Sequence, residues 1–300
     1  MRRVIKFCAV AAVLAAAAFF YLTAPNRLPP DPIYDLPGDV QAGARIFSIA
    51  GCASCHMAKG ATGKAKLLLG GGQEFVSPFG TFVAPNISSD VDTGIGGWSA
   101  YDLANALLRG ISPEGSHYYP VLPYASYARM RPADVVDLRA YLATLPAVSQ
   151  VNAPHDLPLP FRLRRGLGLW KLLFLNDDAI MPEAPAAGRY LVEGLGHCAE
   201  CHTPRNLMGG LDRTRWLAGA PNPAGTGRIP NITPGARDVG NWSAAEMVFY
   251  FETGFTPDFD TAGGEMVEVI ANLSTLPAAD REAIAAYLKS IPALNDAPSP

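Results

Sequence analysis

The chain has 300 residues, enough for about two domains of roughly 100–150 residues each. Its 24 basic and 27 acidic residues leave a formal charge of −3, too small to point to nucleic acid or to an acidic substrate. With 29 glycines and 27 prolines, long loops are expected to carry much of the fold.

At the N-terminus, Arg2, Arg3 and Lys6 precede an uncharged run from Phe7 to Ala24, the pattern of an export signal. Ala16-Ala17-Ala18 offers a small-x-small cleavage site, yet Phe19, Phe20, Tyr21 and Leu22 carry the apolar run past it. A helix over these 18 residues would span about 27 Å, close to the ~30 Å hydrocarbon core of a bilayer. Residues 1–24 are therefore read as a signal peptide or transmembrane anchor, with the uncleaved anchor at 7–24 preferred and its basic end cytoplasmic. Pro25, Pro29, Pro30, Pro32 and Pro37 make residues 25–37 a stiff stalk. Cys8, inside the apolar run, reads as a passive small hydrophobe.

Two identical patterns follow, Cys52-Ala-Ser-Cys55-His56 and Cys198-Ala-Glu-Cys201-His202. A Cys-x-x-Cys alone suits a redox disulfide or half of a zinc site, but neither requires a His directly after the second Cys. Four of five cysteines and two of five histidines fall into these patterns. The signature is that of covalent haem c attachment: Cys52, Cys55, Cys198 and Cys201 add to vinyl groups, and His56 and His202 bind iron. Two covalently bound haem c groups are expected, on the periplasmic side of a bacterial inner membrane.

The chain repeats once. Ala84-Pro-Asn86-Ile-Ser returns as Ile229-Pro-Asn231-Ile-Thr, and Gly97-Trp98-Ser99 as Asn241-Trp242-Ser243, each ahead of an amphipathic stretch (100–109 and 244–252). The segment from Asp134 to Leu142 matches that from Asp280 to Leu288. The expected architecture is all-α: two tandem class I cytochrome c-like domains at 38–150 and 183–295, joined by a linker or strap at 151–182. In each, a first helix (40–50 and 186–194) leads into the haem motif and a last helix (132–144 and 278–290) closes the unit. Gly43 and Gly188 stand where those helices would cross Tyr141 and Tyr287.

An iron that only passes electrons keeps six ligands, and methionine thioether stabilises its reduced form. Met266 lies in a loop after the second motif and ahead of the closing helix, and is read as the distal ligand there. The matching position in the first half is Leu122, which cannot bind iron. Met130 is taken as the ligand of the first haem; His117, or an open position, are the alternatives.

Residues 84–90, 93–99 and 119–130, with the stretch Glu193-Gly-Leu-Gly-His-Cys-Ala-Glu-Cys-His-Thr-Pro-Arg-Asn206, resemble the cytochrome c subunits of membrane-bound bacterial alcohol and aldehyde dehydrogenases. The likeness covers nearly all of the chain after residue 38. It implies a carrier taking electrons from a periplasmic or membrane dehydrogenase subunit and passing them to quinone or a terminal oxidase. Many such subunits have three haem motifs where this chain has two, and Met where it has Leu122.

The basic, apolar stretch 161–175 is read as a strap between the haem units whose arginines pair haem propionates, the alternative being a membrane-surface or docking helix. Asn86 and Asn231 are candidates for the same pairing, or plain turn residues. The function expected is single-electron transfer, and no catalytic nucleophile or acid–base pair stands out. The rival is a haem enzyme, a peroxidase or sulfur-compound oxidoreductase, with the first iron open.

Overall fold

A computed structural model of the chain describes residues 1–223, 225 and 227–296; Ala224 and Thr226, inside the second expected domain, and residues 297–300 lie outside the described part. Helix α1 (Arg2–Leu22) has no buried residue and, among the described residues, is the one helix long and apolar enough to cross a membrane. It runs through the basic residues at its start and ends where the Thr23 hydroxyl donates to the Phe19 carbonyl at 2.6 Å.

The proline-rich segment 25–37 does not stand off as a stalk. The Leu28 amide donates to Asn105 Oδ1 at 2.9 Å, the Tyr101 hydroxyl donates to the Leu28 carbonyl at 2.6 Å, and Tyr34 is buried in a 3₁₀ turn (Pro32–Asp35). Prolines fix an extended backbone, and here its apolar side chains Leu28, Ile33 and Tyr34 find a core to pack on.

Helix α2 (Val40–Ile49) starts at Asp39, whose carboxylate accepts from the Gln41 and Ala42 amides. It runs into the short α3 (Cys52–His56), and a hairpin of β1 (Glu74–Ser77) and β2 (Gly80–Val83) follows. Then come α4 (Ala100–Arg109), α5 (Tyr124–Tyr127) and α6 (Pro132–Leu142). The strap contains α7 (Leu167–Phe174). The C-terminal half has α8 (Ala186–Arg189), which continues as a π-helical turn (Tyr190–Leu195), then α9 (Ala199–His202) and the two-residue strands β3 (Ala220–Pro221) and β4 (Arg228–Ile229). It ends with α10 (Ala244–Thr253), α11 (Met266–Leu273) and α12 (Ala278–Ser290). The two small antiparallel hairpins correct the all-α expectation to mostly helical, since the loops between haem motif and Pro-Asn-Ile fold back on themselves.

The repeated Trp-Ser is a helix start. Ser99 and Ser243 each accept from the amide three residues on, while Asp102 and Glu246 return the bond to the cap amide; Gly110 (φ 61°) and Gly254 (φ 77°) end the two helices. The expected close crossing is present in both halves. A Cβ on Gly43 would lie 2.0 Å from the Asp137 carbonyl oxygen and 2.8 Å from Tyr141 Cβ. One on Gly188 would lie 2.0 Å from the Ala283 oxygen and 2.7 Å from Tyr287 Cβ.

The halves pack face to face into one continuous apolar core, and matching positions make matching bonds across the seam. Arg45 in α2 holds Asp280 of α12 with two hydrogen bonds, 2.5 and 2.7 Å long; Tyr190, its counterpart in the second half, donates to Asp134 of α6, the counterpart of Asp280. Ser54 accepts from Asn272 at 3.0 Å, and Glu200 accepts from Ser126 at 3.0 Å. Residues 54 and 200, like 126 and 272, stand 146 positions apart, so the seam has a local two-fold relation built from the repeat.

Candidate haem centres

The two motif histidines have the same surroundings. His56 Nδ1 lies 2.8 Å from the Pro85 carbonyl oxygen and His202 Nδ1 lies 2.8 Å from that of Pro230. A carbonyl only accepts, so each Nδ1 carries the proton and each Nε2 keeps its lone pair for a metal. Desolvation lowers both imidazole pKa values, against the pull of the proline carbonyls, and so favours the neutral ring that coordination needs.

Backbone contacts also hold the main chain of both histidines. The His56 carbonyl accepts from Gly71 and that of His202 from Gly219, both at 2.8 Å. Both glycines have positive φ (76° and 81°), and a Cβ on Gly71 would lie 2.5 Å from Pro85 backbone atoms.

Asn86 and Asn231 are not free to pair propionates. Asn86 Oδ1 accepts from the Ser88 amide at 2.9 Å and its Nδ2 donates to the Val148 carbonyl at 2.7 Å; Asn231 accepts from Thr233 at 2.9 Å and donates to Leu294 at 2.6 Å. They are turn residues that hold the Pro-Asn-Ile loop so that the preceding carbonyl meets the histidine. The proline carbonyls were missed in the sequence because a backbone acceptor has no residue signature; the twice-repeated Pro before Asn is the signal that could have found them.

None of the five cysteines is in a disulfide, so the four motif cysteines are available for thioether bonds. Before haem is attached, desolvation pushes Cys52 and Cys198 up to about 12, and Cys55 and Cys201 up to about 11. After desolvation, the next contribution at both Cys55 and Cys201 is the same carboxylate, Glu265. One acidic side chain is therefore felt by the second cysteine of each motif. Free thiols, Nδ1-anchored imidazoles and glycine-clamped loops fit two haem c groups.

Met266 opens α11, half-buried against the core, and α11 also carries Asn272, which reaches the first motif. Leu122 is half-buried against the same core. Met130 is buried, 3% exposed, and its amide donates to the Tyr127 carbonyl, as the amide of Leu276 donates to Leu273. By backbone register it occupies the position of Leu276 in the other half.

His117 is committed elsewhere. It is 3% exposed, its Nε2 donates to the Thr23 carbonyl at 2.9 Å, and its Nδ1 accepts from Lys171 Nζ at 3.0 Å, so neither nitrogen is free for iron. The strap arginines are also turned away from propionate pairing. Arg165 donates to Thr23 Oγ1 at 2.8 Å and to the Phe20 carbonyl at 2.5 Å, and Arg164 lies over the Tyr119 ring.

Residues 40–146 match the family model for cytochrome c. The chain is 52% identical over 299 residues to a dihaem c-type cytochrome of Cereibacter sphaeroides, covering 98% of this chain and all of that one. This chain belongs to the cytochrome c family. It is also 36% identical to the fructose dehydrogenase cytochrome subunit of Gluconobacter japonicus, over 85% of this chain and 53% of that protein. To the cytochrome c subunit of the quinone alcohol dehydrogenase of Gluconobacter oxydans it is 33% identical, over 85% of this chain and 55% of that protein. The chain thus spans about half the length of those dehydrogenase subunits. This cytochrome carries two covalently bound haem c groups and serves electron transport.

A buried polar network in the C-terminal half of the cytochrome leaves no mark in its local sequence. Glu193, 1% exposed, accepts from the Ile180 and Met181 amides and from the Tyr287 hydroxyl, which in turn accepts from the Trp216 indole at 3.0 Å. The π turn brings it inward. Between crossing glycine and first motif cysteine there is one residue more in the second half (Gly188 to Cys198) than in the first (Gly43 to Cys52), and a π turn absorbs a single insertion.

Proposed function

We propose that the cytochrome takes single electrons from a periplasmic or membrane dehydrogenase subunit and passes them, haem to haem, to quinone or a terminal oxidase, as a carrier and not as an enzyme. It works in two tandem cytochrome c domains, residues 38–150 and 183–295, on the periplasmic side of the inner membrane, anchored by α1. The observation that carries this reading is the seam: the third residue of each haem motif bonds to the distal segment of the other half, through Ser54–Asn272 and Glu200–Ser126. A carrier needs its two centres in a fixed relation, and these bonds supply it. The dehydrogenase donor is supported by relatives that are cytochrome subunits of fructose, gluconate and alcohol dehydrogenases.

Cys52 and Cys55 tether the first haem and Cys198 and Cys201 the second, with His56 and His202 as proximal ligands through Nε2. Haem c supplies a reversible one-electron couple. The chain's residues orient it: Pro85 and Pro230 fix the imidazoles, and the apolar core around Leu103, Met247 and Tyr127 excludes water. Met266 is the distal ligand of the second haem and Met130 that of the first.

Met266→Ala and Met130→Ala test the ligand set. In each variant one haem loses thioether ligation, its potential falls by on the order of 100 mV or more, and the other haem is unchanged. A Met130→Ala protein with two unaltered potentials removes Met130 from the iron. Ready cyanide binding by the unmutated ferric protein would favour the haem-enzyme reading.

A further inference from the structure

Among the described residues, the strap helix α7 has an apolar face with no partner. Leu169, Leu172 and Leu173 are 40%, 62% and 61% exposed, while Gly168, Trp170 and Lys171 on the other side are buried. The segment leading into it exposes more of the same: Leu159 (73%), Phe161 (42%) and Leu163 (64%). Isolated exposed leucines are ordinary, but three at i, i+3 and i+4 on one short helix form a patch.

What lies beside this face is the end of α1. Gly168 directly precedes Leu169 in the helix, and Arg165 stands in the 3₁₀ turn (Arg164–Gly166) that leads into it. Arg165 binds the Thr23 hydroxyl and the Phe20 carbonyl, and Gly168 abuts Thr23 so closely that a Cβ there would sit 2.5 Å from Thr23 Cα. Thr23 itself has no exposed surface and is held from the opposite direction by His117. The last turn of α1 is clamped into the folded unit, and the unpartnered leucines begin within one helical turn of the clamp.

We infer that α7 seats in the outer leaflet of the same bilayer that α1 spans, with Leu169, Leu172 and Leu173 below the headgroups. An amphipathic helix in the interface plane buries its apolar side in the acyl boundary and keeps basic residues at the phosphates. Arg162, exposed in the segment before the helix, supplies a basic side chain for anionic headgroups, while Arg164 and Arg165 are half-buried and hold Tyr119 and the end of α1. Tyr21, 82% exposed at the end of α1, marks the same level, where aromatic rings gather at the membrane surface. The contact would fix the height and tilt of both haem centres above the membrane, because α7 is packed into the seam side of the protein through Trp170, whose indole donates to the Met208 carbonyl at 2.9 Å. The inference rests on α1 being a retained anchor, and its test separates the two ideas.

Full-length holoprotein is reconstituted into vesicles of phosphatidylcholine and phosphatidylglycerol that contain a photoactivatable acyl-chain probe, and labelled peptides are mapped by mass spectrometry. Label on both the α1 peptide and the 159–174 peptide supports the seat. Label on α1 alone overturns it and leaves the anchor intact; label on neither overturns the anchor reading itself. The full-length variant Leu169→Gln/Leu172→Gln/Leu173→Gln changes only exposed side chains, so it keeps the native haem spectrum. It should lose label on the strap with α1 labelling unchanged. Strap labelling that persists in this variant shows non-specific capture and overturns the inference.

Discussion

Asn272 donates its side-chain amide to Ser54 Oγ at 3.0 Å, joining the helix that Met266 opens to the interior of the first haem motif. Its mirror, Ser126 to Glu200, joins the distal segment of the first half to the second motif. The repeat thus became an interface in which each half braces the other's cofactor loop. Replacing Asn272 and Ser126 by Ala should cost about 1 kcal/mol for each lost hydrogen bond and lower the melting temperature of the holoprotein by a few degrees. Haem-to-haem electron transfer, followed by flash photolysis, should slow in the double variant while both equilibrium potentials hold. An unchanged transfer rate would mean that the seam is braced by Arg45–Asp280 and Tyr190–Asp134 without these pairs.

A methyl group tests the helix crossings. Gly43→Ala and Gly188→Ala each push a Cβ into a backbone carbonyl at 2.0 Å, and backbone cannot swing aside as a side chain can. Each should destabilise the protein by about 1–3 kcal/mol or more by overpacking, read as a loss of melting temperature in near-ultraviolet dichroism. Gly60→Ala, where nothing lies within 4 Å of the added Cβ, meets no neighbour and isolates the conformational cost of its positive φ.

These glycines were legible in the sequence because a close approach leaves a mark that recurs wherever the packing recurs. The Trp-Ser starts of α4 and α10 were legible for the same reason, since capping is chemistry between neighbours in the chain. What escaped was chemistry between distant residues. Nothing local to Arg45 points to Asp280, and nothing in His117 reveals that Lys171 and Thr23 occupy both its nitrogens. The stalk reading failed similarly, because proline content describes the stiffness of residues 25–37 but not the surface of α4 on which Leu28 and Tyr34 come to rest.

With His56 and His202 as the proposed iron ligands, Asn86 and Asn231 would reach the iron through a backbone carbonyl, which gives their substitution a signed effect. Removing the Asn86 side chain frees the loop whose Pro85 carbonyl binds His56 Nδ1. A weaker Nδ1–H bond makes the imidazole a poorer electron donor, so Asn86→Ala should raise the potential of the first haem and leave the second unchanged; Asn231→Ala should do the reverse. Spectroelectrochemical titration resolves the two. A fall in potential would overturn this coupling through the histidine and point to water entering the pocket.

Lys171 gives the protein a pH dependence whose sign can be worked out. Its ammonium donates to the Arg109 and Gly110 carbonyls, both at 2.7 Å, and to His117 Nδ1, and desolvation pulls its pKa down to about 7. His117 is also lowered, mainly by desolvation, with the charges of Lys171 and Arg165 adding to it against the Thr23 carbonyl. In the unfolded chain the lysine keeps its proton to about pH 10.4. Between about 7 and 10 the unfolded state therefore binds one proton more than the folded state, and stability rises with pH across that window; below about 7 both states are protonated and the slope vanishes. Buried tyrosines such as Tyr190, raised up to about 12, oppose the rise only above about pH 10. The melting temperature of the holoprotein should climb from pH 7 to 9.5 and flatten in Lys171→Met, which is less stable throughout because it leaves two carbonyls and His117 without a donor. A wild-type profile that stays flat over this interval, like that of the variant, would show that the lysine keeps its charge in the fold, held by its three acceptors.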